Sequence, residues 1–328
     1  MSLGVEISAE RFEIAGGGFT ISRGSRTHAE VVVVTLRDGA HVGRGECVPY
    51  PRYGESLESV QTQIEEITPV LKEGLTRGQL QRSMPPGAAR NAVDCALWDL
   101  EAKRAGKTAA ELAGIATTAP VTTAFTISVG TPETMAEKTR AAAHRPLLKV
   151  KLAGQGDDQR IAAVREAAPD STLIIDANEA WDESCFEINM KACEAAGVAL
   201  IEQPLPAAND AFLKGFSGEV IVCADESLHP GGSLDGLREK YDAVNIKLDK
   251  AGGLTEGLHL SKAAREQNFK IMVGCMLGTS LAMAPAVLIA QQADFVDLDG
   301  PLLLAEDRTP GLTFEESTLF PPSPALWG

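Results

Sequence analysis

The sequence predicts an α/β protein: a (β/α)7β TIM-like barrel with an N-terminal α+β capping domain that the C-terminal tail completes. Two observations predict it. In the second half of the chain, short apolar runs end on charged residues: Lys149 and Lys151, Asp176, Glu202, Asp225, Lys247, then Asp297 and Asp299. Counting one quieter run that ends at Gly274-Cys275, these marks fall roughly 22–28 residues apart, about one strand-plus-helix unit of a barrel built from ~250 residues. The first third reads differently, as three strands followed by helices, which indicates a separate α+β unit. In such barrels the C-terminal strand ends surround the active site, so the marks converge on one pocket.

Taken in order, residues 4–14, 29–37 and 42–48 read as strands, the last two joined by the hairpin turn Asp38-Gly39. Helical patterns follow at 57–71 and 88–103, the second with an apolar face of Ala92, Cys95, Ala96, Leu97 and Leu100. Strand-like runs then occupy 121–129, 147–152, 172–176, 198–202, 220–223, 243–248, 270–273 and 294–298. Helical stretches lie between them, among them 132–143, 159–168, 183–196 and 254–267, and seven intervening helices are expected. Gly16-Gly17-Gly18 lacks the strand-turn-helix context of a phosphate loop. The expected division is a capping domain over 1–118, the barrel over 119–304, and a tail over 305–328 that packs on the cap.

Composition narrows the function. A net charge of −15 and a pI near 4.8 argue against nucleic acid. No run approaches the ~18 apolar residues of a membrane span, and the N-terminus shows no signal segment. The six cysteines form no metal-ligand spacing and fall mostly in apolar runs, as expected of buried free thiols in a reducing cytoplasm. None of the five histidines ends a strand-like run, His229 in the loop after Asp225 coming nearest. A His-based zinc site or a Ser-His-Asp hydrolase therefore has little support.

Asp176, Glu202 and Asp225 end consecutive strands, and three adjacent carboxylates repel unless a cation joins them. An all-oxygen donor set suits Mg²⁺ first and Mn²⁺ second. Asn178, two residues beyond Asp176, is placed to support a ligand. Lys149 and Lys151 share one strand face. Their like charges and burial are expected to lower both pKa values towards those of usable bases. Lys247 ends the sixth strand, across the barrel from the second, which sets one base on each side of a bound carbon. A salt bridge or a Schiff-base nucleophile is the alternative for Lys247.

The lysine pair, Asp-x-Asn178, Glu202, Asp225-Glu226 and Asn-Ile-Lys247 together resemble the enolase superfamily, muconate-lactonising subgroup, over essentially the whole chain. The resemblance implies Mg²⁺ on Asp176, Glu202 and Asp225, with Mn²⁺ as a substitute and no organic cofactor. It implies proton removal beside a carboxylate, giving an enediolate, with Lys151 and Lys247 as acid/bases and Lys149 in electrostatic support. Asp297-Leu-Asp299 is similar to the pair that receives the substrate ammonium in the subgroup's dipeptide epimerases. The segment Ser22-Arg23-Gly24-Ser25-Arg26 is similar to their capping loop, with Arg26, or else Arg23, meeting a glutamate side chain. Tyr53, Thr126, Cys275 and Leu277 are expected to complete the pocket, with Glu226 behind the metal ligands.

The implied activity is epimerisation of dipeptides such as L-Ala-L-Glu at the second residue, within cytoplasmic murein-peptide recycling. The partners are then small dipeptides, with no nucleic acid and no membrane, and a homo-oligomer is open. The rivals are an N-acylamino acid racemase, an o-succinylbenzoate synthase, a dehydratase or a cycloisomerase, and a peptide-binding relative without catalysis.

Overall fold

The computed structural model describes residues 3–228 and 234–328; His229 lies outside them. The chain begins with strand β1 (Gly4–Glu13), a small hairpin of β2 (Phe19–Ile21) and β3 (Gly24–Arg26), then β4 (His28–Asp38) and β5 (His41–Cys47). Helices α1 (Leu57–Lys72), α2 (Arg77–Ser83), α3 (Ala88–Ala105) and α4 (Ala109–Leu112) follow. Strands β1, β4 and β5 form an antiparallel sheet in the order β1-β4-β5. The turn at Asp38-Gly39 closes the β4–β5 hairpin as the sequence predicts, with Gly39 in the left-handed region (φ 57°). Helix α3 lies directly on β5. A Cβ at Gly45 would stand 2.1 Å from the Ala92 carbonyl oxygen, and one at Gly43 2.3 Å from that of Ala96. Only glycine permits this approach.

The barrel strands are β7 (Phe125–Ile127), β8 (Leu147–Lys151), β9 (Thr172–Asp176), β10 (Val198–Glu202), β11 (Ile221–Ala224), β12 (Ala243–Ile246), β13 (Lys270–Val273) and β14 (Phe295–Val296), preceded by the short β6 (Val121–Thr122). The eight pair in parallel and in chain order. A hydrogen bond from Ala124 N–H to the Val296 carbonyl (2.8 Å) brings the last strand against the first. The run expected as one strand over 121–129 is divided at Thr123 and Ala124. Helices α5 (Pro132–Ala142), α6 (Asp157–Ala167), α7 (Glu183–Ala195), α8 (Leu248–Ala251), α9 (Leu254–Glu266) and α10 (Ser280–Ala290) lie between strands. The expected set of seven is not complete: among the described residues neither the β10–β11 nor the β11–β12 connection carries an α-helix. Between β10 and β11 there are only two 3₁₀ turns, Ala207–Asn209 and Ala211–Leu213. Pro204, Pro206, Gly215 and Gly218 interrupt any longer helix there.

Beyond Leu304 the tail serves both units. Strand β15 (Phe314–Glu315) pairs with β16 (Thr318–Leu319), which in turn pairs with β6. The last residues then reach α3: Trp327 Nε1 donates to the Cys95 carbonyl (3.0 Å), and Gly328 N to Asp99 Oδ1 (2.7 Å). Among the described residues no helix is long and apolar enough to cross a membrane.

The barrel interior explains where the polar residues fall. Ala124, Leu147, Ile174, Leu200, Cys223, Ala243 and Met272 form one inward apolar cluster. Two residues further along each strand, on the same face, stand Thr126, Lys149, Asp176, Glu202, Asp225, Asn245 and Gly274. One pleat thus separates a dry floor from a charged layer. Four residues beyond the floor come Lys151 and Lys247, at the mouth.

Candidate active site

The registers set the charged layer side by side: Lys151 is paired with Asp176, and Asp176 with Glu202. Asp176 and Glu202 are fully buried and Asp225 is 2% exposed. The turns that follow two of these strands hold non-glycine residues in the left-handed region, Asn178 (φ 46°) and Glu179 (66°) after Asp176, and Gln203 (38°) after Glu202. Such conformations persist only where neighbours fix them. Here Asn178 N–H donates to Asp176 Oδ1 (2.9 Å), and Gln203 Oε1 accepts from the backbone of Asp225 and Ser227 (both 3.0 Å). Gln203, which sequence reasoning missed, thereby couples the ends of β10 and β11.

Four lysines meet four carboxylates. Lys149, 2% exposed, places Nζ 2.6 Å from Glu202 Oε2, 2.6 Å from Asp297 Oδ2 and 3.3 Å from Asp176 Oδ2. Lys151 Nζ donates to Asp176 Oδ2 (2.5 Å), and Lys247 Nζ to Asp225 Oδ2 (2.7 Å). Lys250 donates to Oδ1 (2.5 Å) and to the carbonyl (2.6 Å) of Asp225. Asn245 Nδ2 donates to Glu202 Oε1 (2.7 Å). Lys250 and Asn245 were also missed. Asn245 was legible as the same-face neighbour of Lys247, just as Lys149 is of Lys151.

The electrostatics correct one expectation. Burial opposes the charge of Lys149, but Asp297, Glu202 and Asp176 outweigh it and hold the ammonium well above the usual lysine range. Lys247 is raised likewise, against burial, by Asp225 and Glu202. The local Lys-Val-Lys reading counted the like charge and burial but no opposing carboxylates. The carboxylates that reverse the sign come from other strands. On the acid side, burial disfavours ionisation throughout, yet Lys151 and Lys149 keep Asp176 low, and Lys247 and Lys250 keep Asp225 low. Glu202 is raised by burial and by Asp176.

A cavity of about 200 Å³ opens over this layer. Lys151, Lys247, Asp225, Asn178, Glu226, Arg23, Arg26, Tyr53, Cys275 and Leu277 all line it. Of the two arginines on the β2–β3 hairpin, Arg23 is the one that reaches barrel residues. It donates to the Asn178 carbonyl (3.1 Å) and Glu179 (3.3 Å), and Nη2 lies 2.8 Å from Glu226. Arg26 is exposed and stacks over Tyr50, 5.1 Å from the ring centroid. Burial, Asp225 and Asp176 push the Glu226 carboxyl up to about 8.

Asp297, Asp299 and Thr126 do not line this cavity; Thr126 lines a neighbouring one. Asp297 is held by Lys149, and its buried Oδ1 has no hydrogen-bond partner among the described residues. Asp299 Oδ2 accepts from Thr126 N–H (2.7 Å). Burial and the charge of Asp297 push the Asp299 carboxyl up to about 7. A cation brought to this pair would favour its ionised form.

The donor chemistry of Asp176, Glu202 and Asp225 fits a hard divalent ion: buried carboxylates on adjacent strand ends whose mutual repulsion is visible in the raised Glu202. Among the described residues no three acidic, imidazole or thiol side chains converge on one point as a finished cage. Each of the three carboxylates is instead engaged by lysine.

The barrel strand ends thus set buried carboxylates beside Lys151 and Lys247. Residues 3–114 match the family described as mandelate racemase / muconate lactonizing enzyme, N-terminal domain, and residues 132–318 the enolase C-terminal domain-like family. The chain belongs to the enolase superfamily, in this mandelate racemase / muconate lactonizing group. It is 50% identical over 303 residues to the L-Ala-D/L-Glu epimerase of Escherichia coli K12, covering 92% of this chain and 94% of that one. It is 44% identical to an N-acetyl-D-glutamate racemase of a Pseudoalteromonas species, covering 91% and 95%. An enolase family member of Agrobacterium tumefaciens with homology to dipeptide epimerases, solved with sodium, L-Ala-L-Glu and an ordered loop, superposes with a TM-score of 0.98 at 57% identity over 99% and 100% of the chains. A dipeptide epimerase of Enterococcus faecalis solved with Mg and L-Leu-L-Tyr gives 0.89 at 27% identity, over 98% of each. These likenesses to epimerases and a racemase place the protein among the isomerases.

Proposed function

We propose that the protein epimerises L-Ala-D/L-Glu and related dipeptides at the second residue, by 1,1-proton transfer between Lys151 and Lys247. The observation that carries this reading is the pair of lysines from the second and sixth barrel strands lining one cavity, with Asp225 beside them. One lysine removes the glutamyl α-proton from one face, leaving a planar enediolate, and the other returns a proton to the opposite face. Asp176, Glu202 and Asp225 would hold Mg²⁺, or Mn²⁺ in its place. When bound, that ion would supply positive charge to the developing enediolate and would draw on the carboxylates that keep Lys247 protonated. No organic cofactor enters this scheme. Asp297 and Asp299 receive the substrate ammonium; the partnerless Asp297 Oδ1 and the raised Asp299 support that role. Arg23, with Arg26 beside it, faces the acidic side chain and covers the site, excluding water. The reading puts the enzyme in the cytoplasm, in cell-wall peptide metabolism.

Incubation with Mg²⁺ and L-Ala-D-Glu in D₂O tests it. The glutamyl α-proton should exchange, and Lys151→Ala and Lys247→Ala should each abolish epimerisation. No exchange across a dipeptide panel would sink the reading. The Pseudoalteromonas likeness favours a second reading, racemisation of an N-acylated amino acid. That substrate brings no ammonium to Asp297 and Asp299, and faster turnover of N-acetyl-glutamate than of the dipeptide would establish it.

A further inference from the structure

We propose that helix α3 of the capping domain positions Lys247, acting through the turn that follows it, with Asn91 and Asp249 as positioning residues. The inference rests on the reading of Lys247 as an acid/base.

Lys247 is the N-cap of α8, a helix of only four residues, and Lys250 at its third position grips the same Asp225. So short a helix has little stability of its own. Its outer side is held from the cap. Asp249 turns away from the pocket, and its Oδ1 accepts from Asn91 Nδ2 (2.8 Å) and from the backbone N–H of Val48 (3.0 Å). Arg90 donates to the carbonyls of Ala251 (2.7 Å) and Gly252 (3.0 Å). Asp94 accepts from the Thr255 backbone (2.9 Å) and hydroxyl (2.7 Å). Arg90, Asn91 and Asp94 are successive contacts of α3, each at most 4% exposed.

The approach is too close for side chains on the barrel side. A Cβ at Gly252 would stand 2.5 Å from Arg90 Nε, and one at Gly253 2.5 Å from Asp94 Cβ, and both glycines have positive φ (83° and 114°). The segment after Lys151 is secured differently. Ala153 and Gly154 N–H donate to Asp157, within the barrel itself (3.1 and 2.7 Å). Helix α3 therefore grips the turn beyond one of the two lysines. Small displacements of a reacting group carry large rate penalties, so loosening this grip should handicap one face of the substrate.

The experiment compares Asn91→Ala, Asp249→Ala and Asp249→Asn in the full chain. The asparagine keeps an acceptor for Val48 and Asn91. Brief acetic anhydride labelling, read by mass spectrometry, should show Lys247 modified about threefold faster or more in the two alanine variants. Lys151 should label at the wild-type rate, and Asp249→Asn should recover most of the Lys247 protection. In parallel, α-proton exchange in D₂O should fall about tenfold for one glutamyl epimer and far less for the other. Unchanged Lys247 labelling, or equal changes at Lys151 and Lys247, would overturn the proposal. If Asn91→Ala does not fold, the two Asp249 variants decide alone. A wild-type protein that exchanges no dipeptide refutes the epimerase reading, while the labelling still decides whether α3 holds Lys247.

Discussion

The Asp249→Asn substitution should stabilise the protein at alkaline pH and do so increasingly as pH rises. Asp249 is 8% exposed and accepts hydrogen bonds from an amide side chain and a backbone N–H, with no ion pair among the described residues. Burial pushes its carboxyl from 3.8 to about 7. The folded state then binds a proton that the unfolded state has released, throughout the window between those values. Stability contributed by this group is complete below pH ~4, falls as pH rises through the window, and levels off above about 7. A rise of about three pH units at ~1.4 kcal/mol each sets an upper limit of about 4 kcal/mol at pH 8, and relaxation around the charge makes about 2 kcal/mol a fair expectation. Asparagine keeps the acceptor and carries no charge to bury. Urea unfolding of both proteins from pH 4.5 to 8.5 measures the difference directly. It should start near zero and grow to a plateau near pH 8. A difference that is constant across the range refutes the argument, because the substitution would then act through packing alone.

Three further outcomes are expected. Lys149→Met leaves Glu202, Asp176 and Asp297 buried without their shared cation and should cost about 3–5 kcal/mol in denaturant unfolding at neutral pH; a loss under about 1 kcal/mol would show that Lys149 does not hold the layer together. For a dipeptide with a free ammonium, kcat/KM should fall as pH drops through about 7, where Asp299 takes up a proton. That limb should be missing in Asp299→Asn and for an N-acylated dipeptide, so its persistence in either would remove Asp299 from substrate binding. Gly45→Ala drives a methyl to 2.1 Å from the Ala92 carbonyl and should lower stability by about 2–3 kcal/mol in thermal unfolding; wild-type stability would mean α3 does not rest on β5.

How much of this was legible depended on whether the deciding contact was local. The alternation along each strand placed Lys149 with Lys151 and Asp176 with Asn178, because side chains two apart share a face wherever the strand goes. Regular spacing of strand ends led to the barrel, since a unit of fixed length repeats. The missing helix after β10 was foreshadowed by Pro204 and Pro206, though strand spacing alone hid it. Arg23 and Arg26 could not be ranked from their spacing, because which one turns inward depends on the hairpin's seat against Asn178 and Glu179.

The sequence by itself thus determined the inventory and the order of the site: three strand-end carboxylates, two flanking lysines, an acidic pair on the eighth strand. Tertiary structure alone decided what each group is opposite. Lys149 is raised rather than lowered because its nearest charges come from the third, fourth and eighth strands. The turn after Lys247 is held by residues of α3 more than 150 positions earlier in the chain. Periodicity fixes a side chain's direction on its own element, whereas protonation and placement depend on distances between elements, which no local pattern encodes.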